Sequence, residues 1–145
     1  MELLKTELHN LACLEKMATK DDIIDLVLGS EQQIFVEGLY KNGPTMISIS
    51  LSEFRKKDPQ PIKVYILVNI KIEETDSFKY MEHLTMEKSV MKRLSLQDNL
   101  DQAISDMKDY ACKNGYGISQ DILYMTFYPV FDEYWVDLQL LIEEV

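Results

Sequence analysis

Two stretches of this chain run through the same succession of patterns, and that repetition narrows the possible folds more than any single motif does. Each stretch starts with a strand-like segment, passes into a helical one, reaches Lys-Asn-Gly and ends in two alternating strands. The tripeptide stands at 41–43 and again at 113–115, 72 residues apart. A repeated order of elements points to two similar units, about 1–72 and 73–145, that each lack a complete core and share one between them. With 145 residues in all, they form a single domain of ordinary size.

In the first unit, residues 11–19 read as a strand. A helix starts near Asp21, with Ile24, Val27, Leu28, Phe35 and Leu39 at roughly helical spacing. Lys41-Asn42-Gly43-Pro44 stops it. Ile47, Ile49 and Leu51 then alternate with Met46, Ser48 and Ser50. The strongest strand sets Val64, Ile66, Val68 and Ile70 against Tyr65, Leu67, Asn69 and Lys71. In the second unit, residues 89–95 read as a strand after a polar connector at 73–79. Leu100, Ala103, Ile104, Met107 and Ala111 lie along one narrow helical face, which Lys113-Asn114-Gly115 ends. Leu123, Met125 and Phe127 alternate with Tyr124, Thr126 and Tyr128. After a turn at 131–133, Val136, Leu138, Leu140 and Ile142 alternate with Trp135, Asp137, Gln139 and Leu141. The expected fold is α+β: duplicated β-α-β-β units forming a mainly antiparallel sheet, with two main helices on one face.

Several classes are excluded or disfavoured. The chain carries 25 acids against 15 bases, the wrong sign for neutralising phosphates, so no nucleic-acid partner is expected. No basic segment followed by an apolar run opens it, and no apolar stretch approaches a membrane span. Cys13 and Cys112 form no disulfide framework and read as free thiols in a reducing cytoplasm. His9 and His83 have no zinc-type spacing, and no phosphate-cradling glycine cluster occurs, so neither metal nor cofactor is expected.

The duplicated strand–helix–strand–strand order at this length resembles the gyrase-inhibitor-like superfamily of effector-binding domains, a fold that also forms the drug-binding parts of transcription regulators. The resemblance spans nearly the whole chain through its element order. Within these residues there is no helix-turn-helix, so a transcription-factor role is not expected. The second unit also resembles an uncharacterised Gram-positive family encoded near type VII secreted LXG toxins. The residues carrying that likeness run from Phe78 through Leu84, Met86, Arg93, Asn99 and Tyr110 to Tyr134-Trp135-Val136-Asp137-Leu138.

Two candidate sites follow. If the regular apolar rows face the helices, the other sheet face carries Tyr65, Asn69, Tyr124, Tyr128, Trp135 and Asp137 beside Ser48, Thr126 and Gln139. The superfamily resemblance implies an aromatic cleft with one acid, a part that Asp137 fits by position. Such a cleft suits an apolar cation. A plain solvent-facing sheet favours the same residue types, and both readings stand. The second candidate is electrostatic. Residues 1–72 hold ten acids and nine bases, whereas residues 73–145 hold fifteen acids and six bases. Asp98, Asp101, Asp106, Asp109, Asp132 and Glu133 would present that charge to a basic protein partner. The first reading from sequence is therefore a non-enzymatic acidic binding module, such as an immunity or accessory protein for a basic or secreted toxin. The alternative is a stand-alone effector-binding domain for a small apolar cation. No catalytic constellation is expected: the adjacent carboxylates 73–74 and 132–133 would point to opposite faces of a strand.

Overall fold

The computed structural model describes all 145 residues as six antiparallel strands and two long helices. The order is β1 (Glu2–Ala18), a 3-10 turn (Lys20–Asp22), α1 (Ile23–Val36), β2 (Thr45–Ser50) and β3 (Gln60–Leu67), then β4 (Lys79–Ser95), α2 (Leu100–Lys113), β5 (Tyr116–Val130) and β6 (Glu133–Glu144). The strand–helix–strand–strand order thus occurs twice, as the sequence pattern predicts.

The marker of that repetition is different from the expected one. Only the second Lys-Asn-Gly ends a helix, with Gly115 at φ 83°. The first helix stops earlier, and Gly38 at φ 82° takes the equivalent left-handed position. Glycine is favoured there because a Cβ would collide with the following carbonyl. Lys41 and Asn42 instead bond back to the end of β3, at Val68 and Leu67. The structural step is consistent: Glu2 to Lys79, Ile23 to Leu100 and Gly38 to Gly115 are each 77 residues.

β1 and β4 have 17 residues each, far longer than β2 and β3. The short readings at 11–19 and 89–95 saw only one end of each strand, and β4 begins at Lys79, where the expected connector ends. Each long strand has two partners. β1 pairs with β4 through residues 2–13 and with β3 through 11–18, while β4 passes from β1 to β6. Strands of this length bend rather than stay flat. A register shift near Leu4 and a left-handed Asn10 (φ 59°) mark the bends. The sheet closes into a barrel in the order β1-β3-β2-β5-β6-β4.

Both helices lie outside, on one face of the strands. Ile47, Ile49, Val64, Ile66, Leu123, Met125, Phe127, Val136, Leu138 and Leu140 form one apolar cluster with Ile23, Val27 and Ile34 of α1 and Ala103, Ile104, Met107 and Ala111 of α2. The predicted strand rows and the α2 face are therefore correct. Leu51 and Ile70 fall beyond their strands, and Ile70 is exposed. The α1 face is turned from the predicted one: it buries Ile23, Val27, Ser30 and Ile34, leaving Leu28 and Phe35 in solvent. α1 mixes polar and apolar residues around its circumference, so periodicity alone left its orientation weakly specified. α2 is cleanly divided, and Asn99 caps it by accepting a bond from the Gln102 amide at 3.0 Å. No helix is long and apolar enough to cross a membrane.

Candidate functional site

The second face of the strands, expected to be a cleft or a wet surface, is in part a buried layer. A separate cluster of Leu11, Met46, Tyr65, Met86 and Tyr124 forms there, with Leu8, Cys13, Leu67, Met81, Leu84, Ile122 and Leu141 against it. Every strand contributes and no helix does. Residues buried on the helix-free side of a closed ring of strands line its interior.

The register builds this interior in rows. One row crosses all six strands as Cys13, Tyr65, Met46, Thr126, Asp137 and Arg93. The next runs through Lys63, Ser48, Tyr124, Gln139 and Met91. Successive inward residues on each strand are two apart, so each strand supplies one residue to each row.

Ser48, Asp137 and Gln139 are buried in these rows and hydrogen-bonded, whereas Lys63 and Arg93 are exposed. Ser48 Oγ lies 3.1 Å from Tyr65 Oη. Gln139 Nε2 donates to Thr6 Oγ1 at 3.0 Å and to Ser89 Oγ at 3.1 Å. Asp137 is 4% exposed and accepts a forked pair of bonds from Arg93, Nε to Oδ1 at 2.7 Å and Nη2 to Oδ2 at 3.0 Å. The Arg93 guanidinium also lies over the Tyr128 ring, 5.0 Å from its centre. Burial pushes the Tyr124 phenol up to about 12 and also raises Tyr65, since a phenolate is poorly solvated inside. The Cys13 thiol is pushed up to about 11 by the same burial, so it is held as an unreactive thiol.

Of the six residues predicted from strand parity, Tyr65, Tyr124 and Asp137 converge on the interior. Tyr128 and Trp135 stand opposite each other, one residue pair beyond Thr126 and Asp137 in the inward-facing series. Both are half-buried, and the Trp135 indole donates to Glu133. Asn69 does not join them: β3 ends at Leu67, and Asn69 is exposed beyond it. Sequence reasoning missed Arg93, the partner of Asp137. Its inward parity with Ser89 and Met91 was readable, but its neighbour across the sheet is set by the register of β4 against β6.

The acidic candidates do not form one free face. Asp98 and Asp109 on the α2 side and Asp132 and Glu133 in the β5–β6 turn region are exposed. Asp101 pairs with Arg55 at 3.5 Å and Asp106 with Lys92 at 3.7 Å. The largest surface cleft, about 720 Å³, lies elsewhere, between α1 and the β1–β4 edge, lined in part by Asp25, Gln33, Thr75 and Phe78. It contains none of the six ligand candidates.

No protein-family model matches the chain, and no curated protein does. Solved structures do. The crystal structure of the EcmrR C-terminal domain matches with a TM-score of 0.72 at 14% identity, covering 99% of this chain and 98% of that one. EcmrR in a transcription complex with DNA matches with the same TM-score and identity, and there this chain spans 58% of the longer protein. The structure of SAV2435 bound to tetraphenylphosphonium matches with a TM-score of 0.53 at 13% identity, covering 99% of this chain and 94% of that one. At these identities the likeness is one of fold, and it accords with the effector-binding fold that the element order resembles.

Proposed function

We propose that this chain is a small-molecule-binding module whose site is the interior of the barrel, and that its ligand is apolar and aromatic. The observation that carries this reading is the helix-free interior itself: buried, yet assembled from Tyr65, Tyr124, two methionines and a carboxylate. A barrel core selected for stability alone has no need of a buried acid, because desolvating one opposes folding. Met46 and Met86 are unbranched and soft, so they can give way to a ligand that then packs between the phenol rings. The fold is also that of a protein solved with tetraphenylphosphonium bound. In this reading the protein acts by binding rather than catalysis.

The acidic-partner reading of the sequence has less support. Its α2 face is interrupted where Arg55 and Lys92 neutralise Asp101 and Asp106.

Titration with tetraphenylphosphonium, followed by thermal melting and calorimetry, tests the proposal. A dose-dependent rise in melting temperature is expected, since a ligand that binds only the folded state stabilises it by mass action. Tyr124→Leu, which keeps an apolar filler and removes the ring, is expected to abolish most of the shift. No shift at millimolar ligand would refute the reading.

A further inference from the structure

A buried carboxylate among aromatic rings is the natural counter-ion for an organic cation, but in this protein that place is taken. Arg93 meets both Asp137 oxygens, at 2.7 and 3.0 Å, and its guanidinium stacks over Tyr128. It therefore makes with this protein's own atoms the two contacts a cationic aromatic ligand would make: charge against a carboxylate and cation against a ring. The two partners are held very differently. The Asp137 side chain is 5% exposed and fixed on a central strand pair, whereas the Arg93 side chain is 58% exposed. Arg93 can turn out to water and keep its charge solvated, and Asp137 cannot follow it.

We propose that Arg93 is an internal competitor that sets the charge preference of the barrel interior. With the pair closed the Asp137 charge is neutralised, and the site takes an apolar ligand with little regard to its sign. A cation gains the carboxylate only by displacing Arg93 into solvent. The proposal rests on the interior being the ligand site.

Two ions of nearly the same shape and opposite charge, tetraphenylphosphonium and tetraphenylborate, provide the test. Their dissociation constants would be measured by calorimetry at pH 8. The wild-type chain should show only a small preference between them. Arg93→Gln should tighten the phosphonium by about tenfold or more and weaken the borate, because a buried charge a few ångströms from a ligand acts through a lowered dielectric. Asp137→Asn should reverse that preference. The double variant R93Q/D137N, which replaces the ion pair by a neutral hydrogen-bonding pair, should return the ratio to near the wild-type value. Melting curves for each variant confirm that it is folded. If the ions bind but R93Q and D137N leave their ratio within about twofold of wild type, the pair is only a latch between β4 and β6 and the proposal fails, while the interior ligand site survives. If neither ion binds any folded variant, the interior site itself is wrong and the proposal falls with it.

Discussion

The two faces of this barrel wall are made by the same strands, yet they are chemically unlike. The outer face is almost wholly aliphatic and dry because α1 and α2 cover it. The inner face is buried in part because the strands close on themselves, and it mixes methionine and tyrosine with serine, glutamine, aspartate and an exposed arginine. In an open antiparallel sheet, alternation of apolar and polar residues marks one buried and one wet face. Closure shields the middle of the second face from water without changing the pattern. Its polar groups must then bond to one another, which is what Ser48–Tyr65, Gln139–Ser89 and Asp137–Arg93 do. The outer face holds the fold by burial, and the inner face holds a set of mutually satisfied polar groups that a ligand can rearrange.

The contrast is tested most strongly by truncation on the outer face. Phe127 is 2% exposed there, and Phe127→Ala should cost about 3–5 kcal/mol in denaturant unfolding. A loss below about 1 kcal/mol would mean that the helix-covered layer is not the main source of stability. The inner face should show an asymmetry instead. Arg93→Ala strands a buried carboxylate and should cost about 2–3 kcal/mol, whereas Asp137→Asn leaves an arginine that can reach water and should cost clearly less. Equal losses in the two variants would contradict the difference in burial.

A smaller effect appears in base. Tyr124 has its folded pKa raised to about 12 from an ordinary value near 10. Its neutral form is favoured in the folded state, so its contribution is complete below pH about 10 and is lost as pH rises towards 12. Denaturant midpoints measured from pH 9 upward should fall over that window, and Tyr124→Phe should flatten part of the fall. The smallest change lies away from both faces. Gly29 is exposed on α1 with nothing within 4 Å of an added Cβ, so Gly29→Ala should add roughly 0.5–1 kcal/mol by helix propensity alone. A destabilisation would show that the adjoining cleft has a packing demand on that position.

Much of the outer layer was legible in the sequence. The period-two rows of β2, β3, β5 and β6 and the divided face of α2 follow from local patterning, because each residue's side is decided by its immediate neighbours in the chain. Tyr65, Tyr124 and Asp137 could be placed on a common face for the same reason. Asn69 could not, because the alternation continues past Leu67 although the strand pairing stops there. The α1 orientation was lost because a helix without a clear apolar stripe has no preferred side until something packs against it. The Lys-Asn-Gly match marked the repetition at the wrong glycine, since a turn tripeptide serves a helix end and a loop equally well.

The sequence by itself determined that six or so alternating strands and two helices share a core, which residues face the helices, and that the other face is aromatic with one acid. Local sterics and hydrophobic periodicity suffice for that. Only the tertiary structure decided that this face is an interior and that its acid is already paired. Both depend on how two 17-residue strands bend and on which residues they meet far along the chain, and Arg93 and Asp137 are neighbours solely through that register.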